Sequence, residues 1–156
     1  CSIYSENYGF DVVSLRPFNV YGPRQEITAG VVPAFINAAL QNKSVTLYGS
    51  GKQSRDFIFV EDVVSAFVAA IKNSSKAKGK SINVGSSESK SVLDILEKVE
   101  TISGKKLILD KKPDLLGDVK QTLADITLAK ELLDWQPNYS FENGLKKTFD
   151  WFSSKS

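Results

Sequence analysis

Short apolar segments of strand length alternate with amphipathic helical segments along this chain of 156 residues. Runs rich in β-branched and aromatic residues predict the strands, and apolar residues at helical spacing predict the helices. The predicted strands cover residues 12–15, 45–48, 57–60, 81–84, 107–109 and 119–123, and the predicted helices cover residues 1–8, 32–42, 62–71, 91–104, 126–135 and 140–152. Because the strands and helices interleave, the sequence favours an α/β fold.

Two of the predicted helices have recognisable start signals. Asp62 is in position to cap the N-terminus of the third helix, and Ser91 followed by Asp94 three positions later indicates a capping box for the fourth. The apolar positions of the third and last helices are expected to face the core: Val63, Val64, Phe67, Val68 and Ile71 in the third, and Phe141, Leu145, Phe149 and Phe152 in the last.

Composition argues against several classes of protein. The 20 basic and 18 acidic residues are spread along the chain and leave a net charge of +2, so binding to nucleic acid is not expected. With no histidine and one cysteine, a metal site is not expected, and a Ser-His or Cys-His nucleophile is impossible. The longest apolar stretch spans nine residues, against the roughly 20 of a membrane helix, so no membrane partner is expected. The single cysteine fits a reducing, cytoplasmic compartment.

Two short strings contain polar and aromatic residues that could bind a ligand. The first is LRPFNVYGPRQ at residues 15–25, and the second is QSRDFIFVED at residues 53–62. The first string begins at the carboxyl end of a predicted strand, which is the edge at which open α/β sheets bind ligands. In the second string, Arg55 offers a fixed fork of donors that suits a diphosphate.

The two strings together resemble the second half of the NAD-dependent epimerase/dehydratase family, the extended short-chain dehydrogenases that act on nucleotide sugars. The nearest pattern is that of the UDP-glucose 4-epimerases. The later strings GDV at residues 117–119, ADI at 124–126 and LDWQP at 133–137 match the family's C-terminal signature, so the resemblance covers nearly the whole chain. It implies the C-terminal part of a Rossmann-like NAD-binding domain together with a smaller α/β substrate-binding domain.

The family's N-terminal half carries a glycine-rich dinucleotide fingerprint and a catalytic Tyr-x-x-x-Lys pair. The glycine-rich fingerprint does not occur in this sequence, and neither Tyr4 nor Tyr8 can be the catalytic tyrosine, since they are followed four positions later by Tyr8 and Val12. We therefore expect residues 1–156 to be the substrate-binding half, without the NAD-binding half and without a catalytic residue. The NAD site would be incomplete in this chain, and the fragment would be inactive alone.

The resemblance also assigns the first group of site residues. Pro17 and Phe18 would lie against the nicotinamide of NAD, and Asn19 would form a hydrogen bond with the sugar or phosphate of the substrate. The residues alone leave another interpretation open for Asn19, in which it caps the turn formed by Tyr21, Gly22 and Pro23.

A second group would hold the nucleotide. By resemblance, Arg55 would contact the pyrophosphate of UDP, Tyr48 would lie near the uracil, and the backbone amide of Val31 would face the diphosphate. Asp118 would bind the ribose hydroxyls or orient Arg55. Two other interpretations remain open: Arg55 forms a surface ion pair with Asp56 or Glu61, and Tyr48 belongs to the core.

One position departs from the pattern and bears on the substrate. Most 4-epimerases have an arginine three positions before Asp118, whereas this chain has Leu115; an apolar residue there also occurs in epimerases that act on uronic acid sugars. The resemblance therefore implies an NAD-dependent UDP-sugar 4-epimerase that removes and returns hydride at C4, acting as a homodimer at full length. The alternatives are a UDP-glucuronate epimerase or decarboxylase, a 4,6-dehydratase, or a non-catalytic nucleotide-sugar-binding or interaction module.

Overall fold

The computed structural model describes residues 2–155 and divides the chain into two compact units. Unit 1 contains the residues up to Val20, Asp56–Glu88 and Leu123–Tyr139, and unit 2 contains Tyr21–Arg55, Ser89–Thr122 and the residues from Ser140 onward. In chain order the elements are α1 (Ser2–Tyr8), β1 (Ser14–Pro17), β2 (Asn19–Tyr21), α2 (Val31–Gln41), β3 (Ser44–Tyr48), β4 (Ser54–Phe59), α3 (Val60–Lys72), β5 (Ser81–Val84), β6 (Ser89–Ser91), α4 (Val92–Ser103), β7 (Ile108–Lys112), α5 (Thr127–Leu133) and α6 (Phe141–Ser153).

Parallel strand pairing confirms the α/β class. In unit 1, β1 pairs with β5 from Ser14 opposite Ser81 to Pro17 opposite Val84, and in unit 2, β3 pairs with β7 from Ser44 opposite Ile108 to Tyr48 opposite Lys112. The strands β2, β4 and β6 form a three-stranded sheet in the order β2-β4-β6.

Each unit has its own apolar core. In unit 1, α3 and α5 pack near β5, and Ile82, Ala129 and Leu133 are almost completely buried. In unit 2, α2 contacts both α4 and α6, and the buried side chains of these three helices include Phe35, Ile36, Ile95, Val99 and Leu145. The predicted inward face of the last helix is largely confirmed, since Phe141, Leu145 and Phe152 are buried and Phe149 is half-buried.

The predicted capping box at the start of α4 is confirmed. The Ser91 hydroxyl accepts a hydrogen bond from the Asp94 backbone N–H at 3.1 Å, and the Asp94 carboxylate accepts one from the Ser91 N–H at 2.7 Å. The hydroxyl and the N–H of Ser91 both lower the pKa of Asp94, because they stabilise its ionised form.

The prediction that Asp62 caps α3 is wrong. The helix begins at Val60, and its N-cap residue Phe59 makes no side-chain capping bond. Asp62 lies inside the first turn, is 1% exposed, and accepts hydrogen bonds from the backbone N–H groups of Asn138 at 2.8 Å and Tyr139 at 3.2 Å. A distant loop therefore uses the carboxylate that local sequence assigned to the helix end.

The predicted inward face of α3 is also wrong in part. Val63 is buried, but the other four predicted positions are 45–75% exposed: Val64, Phe67, Val68 and Ile71. The helix instead buries Asp62, Val63, Ala66 and Ala70. Small side chains at helical spacing allow α3 to lie close to the core of unit 1, so the buried face is rotated away from the bulkier residues.

Several strand boundaries differ from prediction. The first strand begins at Ser14 and ends at Pro17, so Arg16 and Pro17 are strand residues. The expected strand at residues 119–123 is absent; that segment contributes one isolated bridge, between Gln121 and Ser54. The first helix is confirmed from Ser2 to Tyr8, and its predicted first residue, Cys1, lies outside the described residues.

Candidate functional site

Arg55 and Asp118 form an ion pair in unit 2. Arg55 lies near the start of β4; one guanidinium nitrogen donates to Asp118 Oδ1 at 2.5 Å, and the other donates to the Ser54 carbonyl at 2.9 Å. The two side chains are 20% and 34% exposed. An ion pair with this exposure contributes about 0–1 kcal/mol to stability. The main consequence of the ion pair is that it restricts the orientation of the guanidinium. The acidic partner of Arg55 is therefore Asp118, and not Asp56 or Glu61 as the residues alone had suggested.

Asp118 also lines an open cavity of about 460 Å³ in unit 2. This volume is in the range of small-molecule sites. The lining residues are mostly polar: Ser50, Lys52, Gln53, Asp114, Leu115, Asp118 and Lys120. The cavity therefore combines a carboxylate bound to Arg55 with two lysines and one apolar side chain.

The turn after β3 brings two segments of the cavity wall together. Gly49 has φ +61°, a conformation that favours glycine, and its N–H donates to the Lys112 carbonyl at 2.9 Å. A Cβ atom at Gly49 would lie 1.6 Å from Asp114 Oδ1. The missing side chain thus allows Asp114 to lie directly against the backbone of the turn.

Tyr48 and Val31 lie at the ends of two elements of unit 2. Tyr48 is the last residue of β3 and is 40% exposed, which excludes the core interpretation. Its carbonyl accepts a hydrogen bond from Gln53 Nε2 at 3.2 Å. Val31 is the first residue of α2, and the N-cap residue Gly30 makes no side-chain hydrogen bond to this helix start. The first N–H groups of α2 therefore lack a side-chain cap.

The other three predicted site residues follow one another in unit 1. Pro17 is exposed at the end of β1, Phe18 is half-buried against the core, and Asn19 is exposed at the start of β2. Asn19 Nδ2 donates to the Asp56 carbonyl at 2.8 Å, so the amide is held by β4 and not by the following turn. Its Oδ1 atom is left as an acceptor.

Asp56 holds an important position that sequence reasoning missed. It is completely buried, and its carboxylate accepts hydrogen bonds from the Ser86 N–H at 2.7 Å, the Ser86 hydroxyl at 2.8 Å, the Ser87 N–H at 2.9 Å and the Ala124 N–H at 3.0 Å. Gly85 completes this packing, because a Cβ atom there would lie 2.3 Å from the Ala124 Cβ. No local signal could identify this role, since the partners lie 30–68 residues away.

The second buried carboxylate of unit 1 has a perturbed pKa. Burial raises the pKa of Asp62, and the nearby Glu61 charge raises it further, while the N–H groups of Asn138 and Tyr139 lower it in part. Among the described residues, no group of three or more His, Cys, Asp or Glu side chains could hold a metal ion. Within residues 2–155, no helix has both the length and the apolar character needed to cross a membrane.

In unit 2, the parallel strands β3 and β7 end at the exposed residues Tyr48 and Lys112, and residues that follow each strand line the open charged cavity. This arrangement is typical of an α/β protein that binds small anionic ligands. Comparison with known proteins gives the family. Residues 1–85 match the NAD dependent epimerase/dehydratase family, to which this chain belongs.

The relatives of the chain carry out more than one reaction. The chain is 39% identical over 152 residues to a UDP-N-acetyl-alpha-D-glucosaminuronate decarboxylase of Bacillus cytotoxicus. This match covers 92% of the chain and 47% of the relative. The chain is 35% identical over 157 residues to a UDP-glucose 4-epimerase of Mycolicibacterium smegmatis, covering 99% of this chain and 50% of the relative. The chain therefore spans about half the length of the curated relatives it matches.

A solved structure has the same fold over the whole chain. The Y149F variant of UDP-glucuronic acid 4-epimerase from Bacillus cereus, in complex with UDP-4-deoxy-4-fluoro-glucuronic acid and NAD, superimposes with a TM-score of 0.91 at 36% identity. The match covers 100% of this chain and 49% of that protein.

Proposed function

We propose that this chain is the nucleotide-sugar-binding half of an NAD-dependent UDP-sugar 4-epimerase, which removes and returns hydride at C4 of the sugar. The observation that carries the proposal is the Arg55–Asp118 pair beside the cavity of unit 2, in a chain of the epimerase/dehydratase family. A guanidinium held by one carboxylate keeps donors for a second anion, and a nucleotide diphosphate is such an anion.

Four residues of unit 2 would bind the nucleotide. Arg55 would contact the diphosphate, and Asp118 would orient Arg55 or accept from the ribose hydroxyls. The exposed ring of Tyr48 would lie near the uracil, and the backbone N–H of Val31 would face the diphosphate from an uncapped helix start. Each of these roles is consistent with the exposure and the hydrogen bonds of the residue concerned.

Three residues of unit 1 would serve the sugar and the cofactor. Asn19, held by the Asp56 carbonyl, would present Oδ1 to a sugar hydroxyl. Pro17 and Phe18 offer an apolar surface that suits one face of a nicotinamide ring. NAD, when bound, would supply the hydride acceptor. The residues of this chain would bind and orient. The one Tyr-x-x-x-Lys spacing in the sequence, Tyr48 and Lys52, spans the turn after β3 and does not lie on one face of a helix, so we expect no turnover by the chain alone.

A second candidate is a uronate decarboxylase or uronate 4-epimerase. It is favoured by the 39% identity to a glucosaminuronate decarboxylase, by the superposition on a glucuronic acid epimerase, and by Leu115 in the cavity wall. A homodimeric full-length protein in the cytoplasm remains a prediction under either candidate.

Calorimetric titration with UDP tests the proposed site. We expect Arg55→Ala to weaken UDP binding by about 1.5–3 kcal/mol, the usual cost of losing hydrogen bonds to a charged group, and to leave thermal stability nearly unchanged. Lys43→Ala is the matched control, because Lys43 is an exposed cation of unit 2 outside the cavity. Equal UDP affinities for the unmodified chain, Arg55→Ala and Lys43→Ala would contradict the assignment of Arg55 to the diphosphate.

Activity measurements test the reaction. The chain alone, with added NAD, should not convert UDP-glucose, whereas the chain extended by its upstream coding sequence should do so. Comparing kcat/KM for UDP-glucose and UDP-glucuronate in the extended protein separates the two candidates. Turnover by the chain alone would contradict the proposal that it is a binding half.

A further inference from the structure

Two lysines line the cavity of unit 2 without an acidic partner. Lys52 follows the turn after β3, and Lys120 immediately precedes the bridge between Gln121 and Ser54. Among the residues that the structure describes, neither ammonium group makes an ion pair or a hydrogen bond. Other lysines of unit 2 do have partners: Lys98 pairs with Glu142, Lys106 with Glu100, Lys112 with Asp110 and Lys146 with Asp150.

The two carboxylates of the cavity have different neighbours. Asp118 accepts from Arg55 at 2.5 Å, and Asp114 lies against the backbone of Gly49. Leu115, on the same wall, carries no charge. Asp114 keeps its negative charge, so the cavity wall carries two ammonium groups against the one carboxylate that Arg55 does not balance. This excess of positive charge, with the remaining donors of Arg55, favours an anion.

A nucleotide diphosphate carries more negative charge than one guanidinium can balance, particularly when that guanidinium is shared with Asp118. Lysine is a compact point charge on a flexible stem, so an exposed lysine can turn toward a phosphate without a change in the backbone. Lys52 and Lys120 are both exposed and both belong to the cavity wall.

We propose that Lys52 and Lys120 bind the diphosphate of the nucleotide sugar together with Arg55. This inference rests on the proposed function and adds two binding residues to it. Their contribution is electrostatic and partly screened by solvent, so each lysine should account for a factor of about three to ten in affinity at low ionic strength.

Titrations of UDP, uridine and inorganic pyrophosphate test the inference. The variants are Lys52→Gln, Lys120→Gln and the double variant, with Lys43→Gln as the control for loss of an exposed lysine. Measurements at about 0.02 M and about 0.5 M salt separate charge effects from shape effects. We expect the double variant to bind UDP and pyrophosphate about 10- to 100-fold more weakly at low salt, with a smaller loss at high salt and unchanged affinity for uridine.

The possible outcomes separate this inference from the proposed function. UDP affinities equal to that of Lys43→Gln would overturn the role of the lysines, even if Arg55→Ala still weakens binding. An equal loss for uridine would also overturn it, because the lysines would then support the shape of the cavity. The unmodified chain could bind UDP and pyrophosphate with equal affinity, and the lysine variants could weaken both. That result would support an anion site at the two lysines and would contradict the proposal that the site recognises UDP. Absence of binding to both anions overturns the inference.

Discussion

Two aspartates of unit 1 and one aspartate of unit 2 have opposite environments. In unit 1, Asp56 and Asp62 are 0% and 1% exposed and accept hydrogen bonds mainly from backbone N–H groups of distant segments. In unit 2, Asp118 is partly exposed, accepts from the flexible side chain of Arg55 and lines an open cavity. The same residue type therefore fixes the backbone at two positions of unit 1 and faces a candidate ligand site at one position of unit 2.

Burial and hydrogen-bond partners separate structural from binding carboxylates in this chain. A buried carboxylate that receives several backbone donors cannot reach a ligand, and its loss should be measured as lost stability. A half-exposed carboxylate bound to a guanidinium contributes little to stability, so its loss should be measured in ligand affinity.

The same substitution at the two sites should have very different effects on stability. Asp56→Asn replaces one acceptor oxygen by an NH₂ group and leaves two buried donors unsatisfied, so we expect a loss of about 2–5 kcal/mol in the free energy of unfolding. Asp118→Asn, the matched control, should cost less than about 1 kcal/mol. Urea unfolding measures both values, and equal losses would show that burial does not distinguish these carboxylates.

A smaller effect is expected from adding charge to the cavity wall. Leu115→Arg should place another donor fork near the phosphates and increase affinity for UDP and for all UDP-sugars together, by about 1–2 kcal/mol, because the added charge is partly screened. The sugar preference should not change, since the substitution acts on the shared nucleotide. A changed ratio of kcat/KM between glucose and glucuronate substrates in the extended protein would show that this position faces the sugar.

The smallest effect concerns the pH dependence of stability. The pKa of Asp62 is raised in the folded state by burial, so its contribution to stability is greatest at low pH and is lost as pH rises from 3.8 through the raised pKa. The pKa of Asp94 in unit 2 is lowered by the Ser91 hydroxyl and N–H, so its contribution is present above 3.8 and is lost as pH falls through the lowered value.

Chemical unfolding across this pH range tests both signs. Asp62→Asn should flatten the decline of the unfolding free energy above pH 3.8, and Asp94→Asn should flatten its decline below pH 3.8. Both slopes are read relative to the unmodified chain, so a uniform loss of stability in either variant does not alter the result. If both variants changed the pH dependence of the unfolding free energy in the same direction, the opposite pKa shifts of Asp62 and Asp94 would be contradicted.

Features that depend on neighbouring residues could be read from the sequence. The α/β class, the ends of α1 and α2, and the capping box at Ser91 and Asp94 follow from periodicity and from hydrogen bonds only a few positions apart. The strings around Asn19 and Arg55 indicated the family, which residues 1–85 confirm. The individual ligand contacts assigned to those residues remain predictions.

Features that depend on which segments meet could be decided only by the tertiary structure. Asp62 lies 76 and 77 positions from the two N–H groups that donate to it, and Asp56 lies 30 to 68 positions from its donors. Arg55 and Asp118 are 63 positions apart, and the family resemblance, not any local pattern, named Asp118 as a residue that could orient Arg55. The sequence presented Asp62 as a helix cap and the bulky face of α3 as buried, because both features are normal within an isolated helix. In the folded chain, the loop before α6 supplies donors to Asp62, and close packing selects the alanine face of α3. Burial and long-range hydrogen bonds are properties of the assembled elements, and no local pattern contains them.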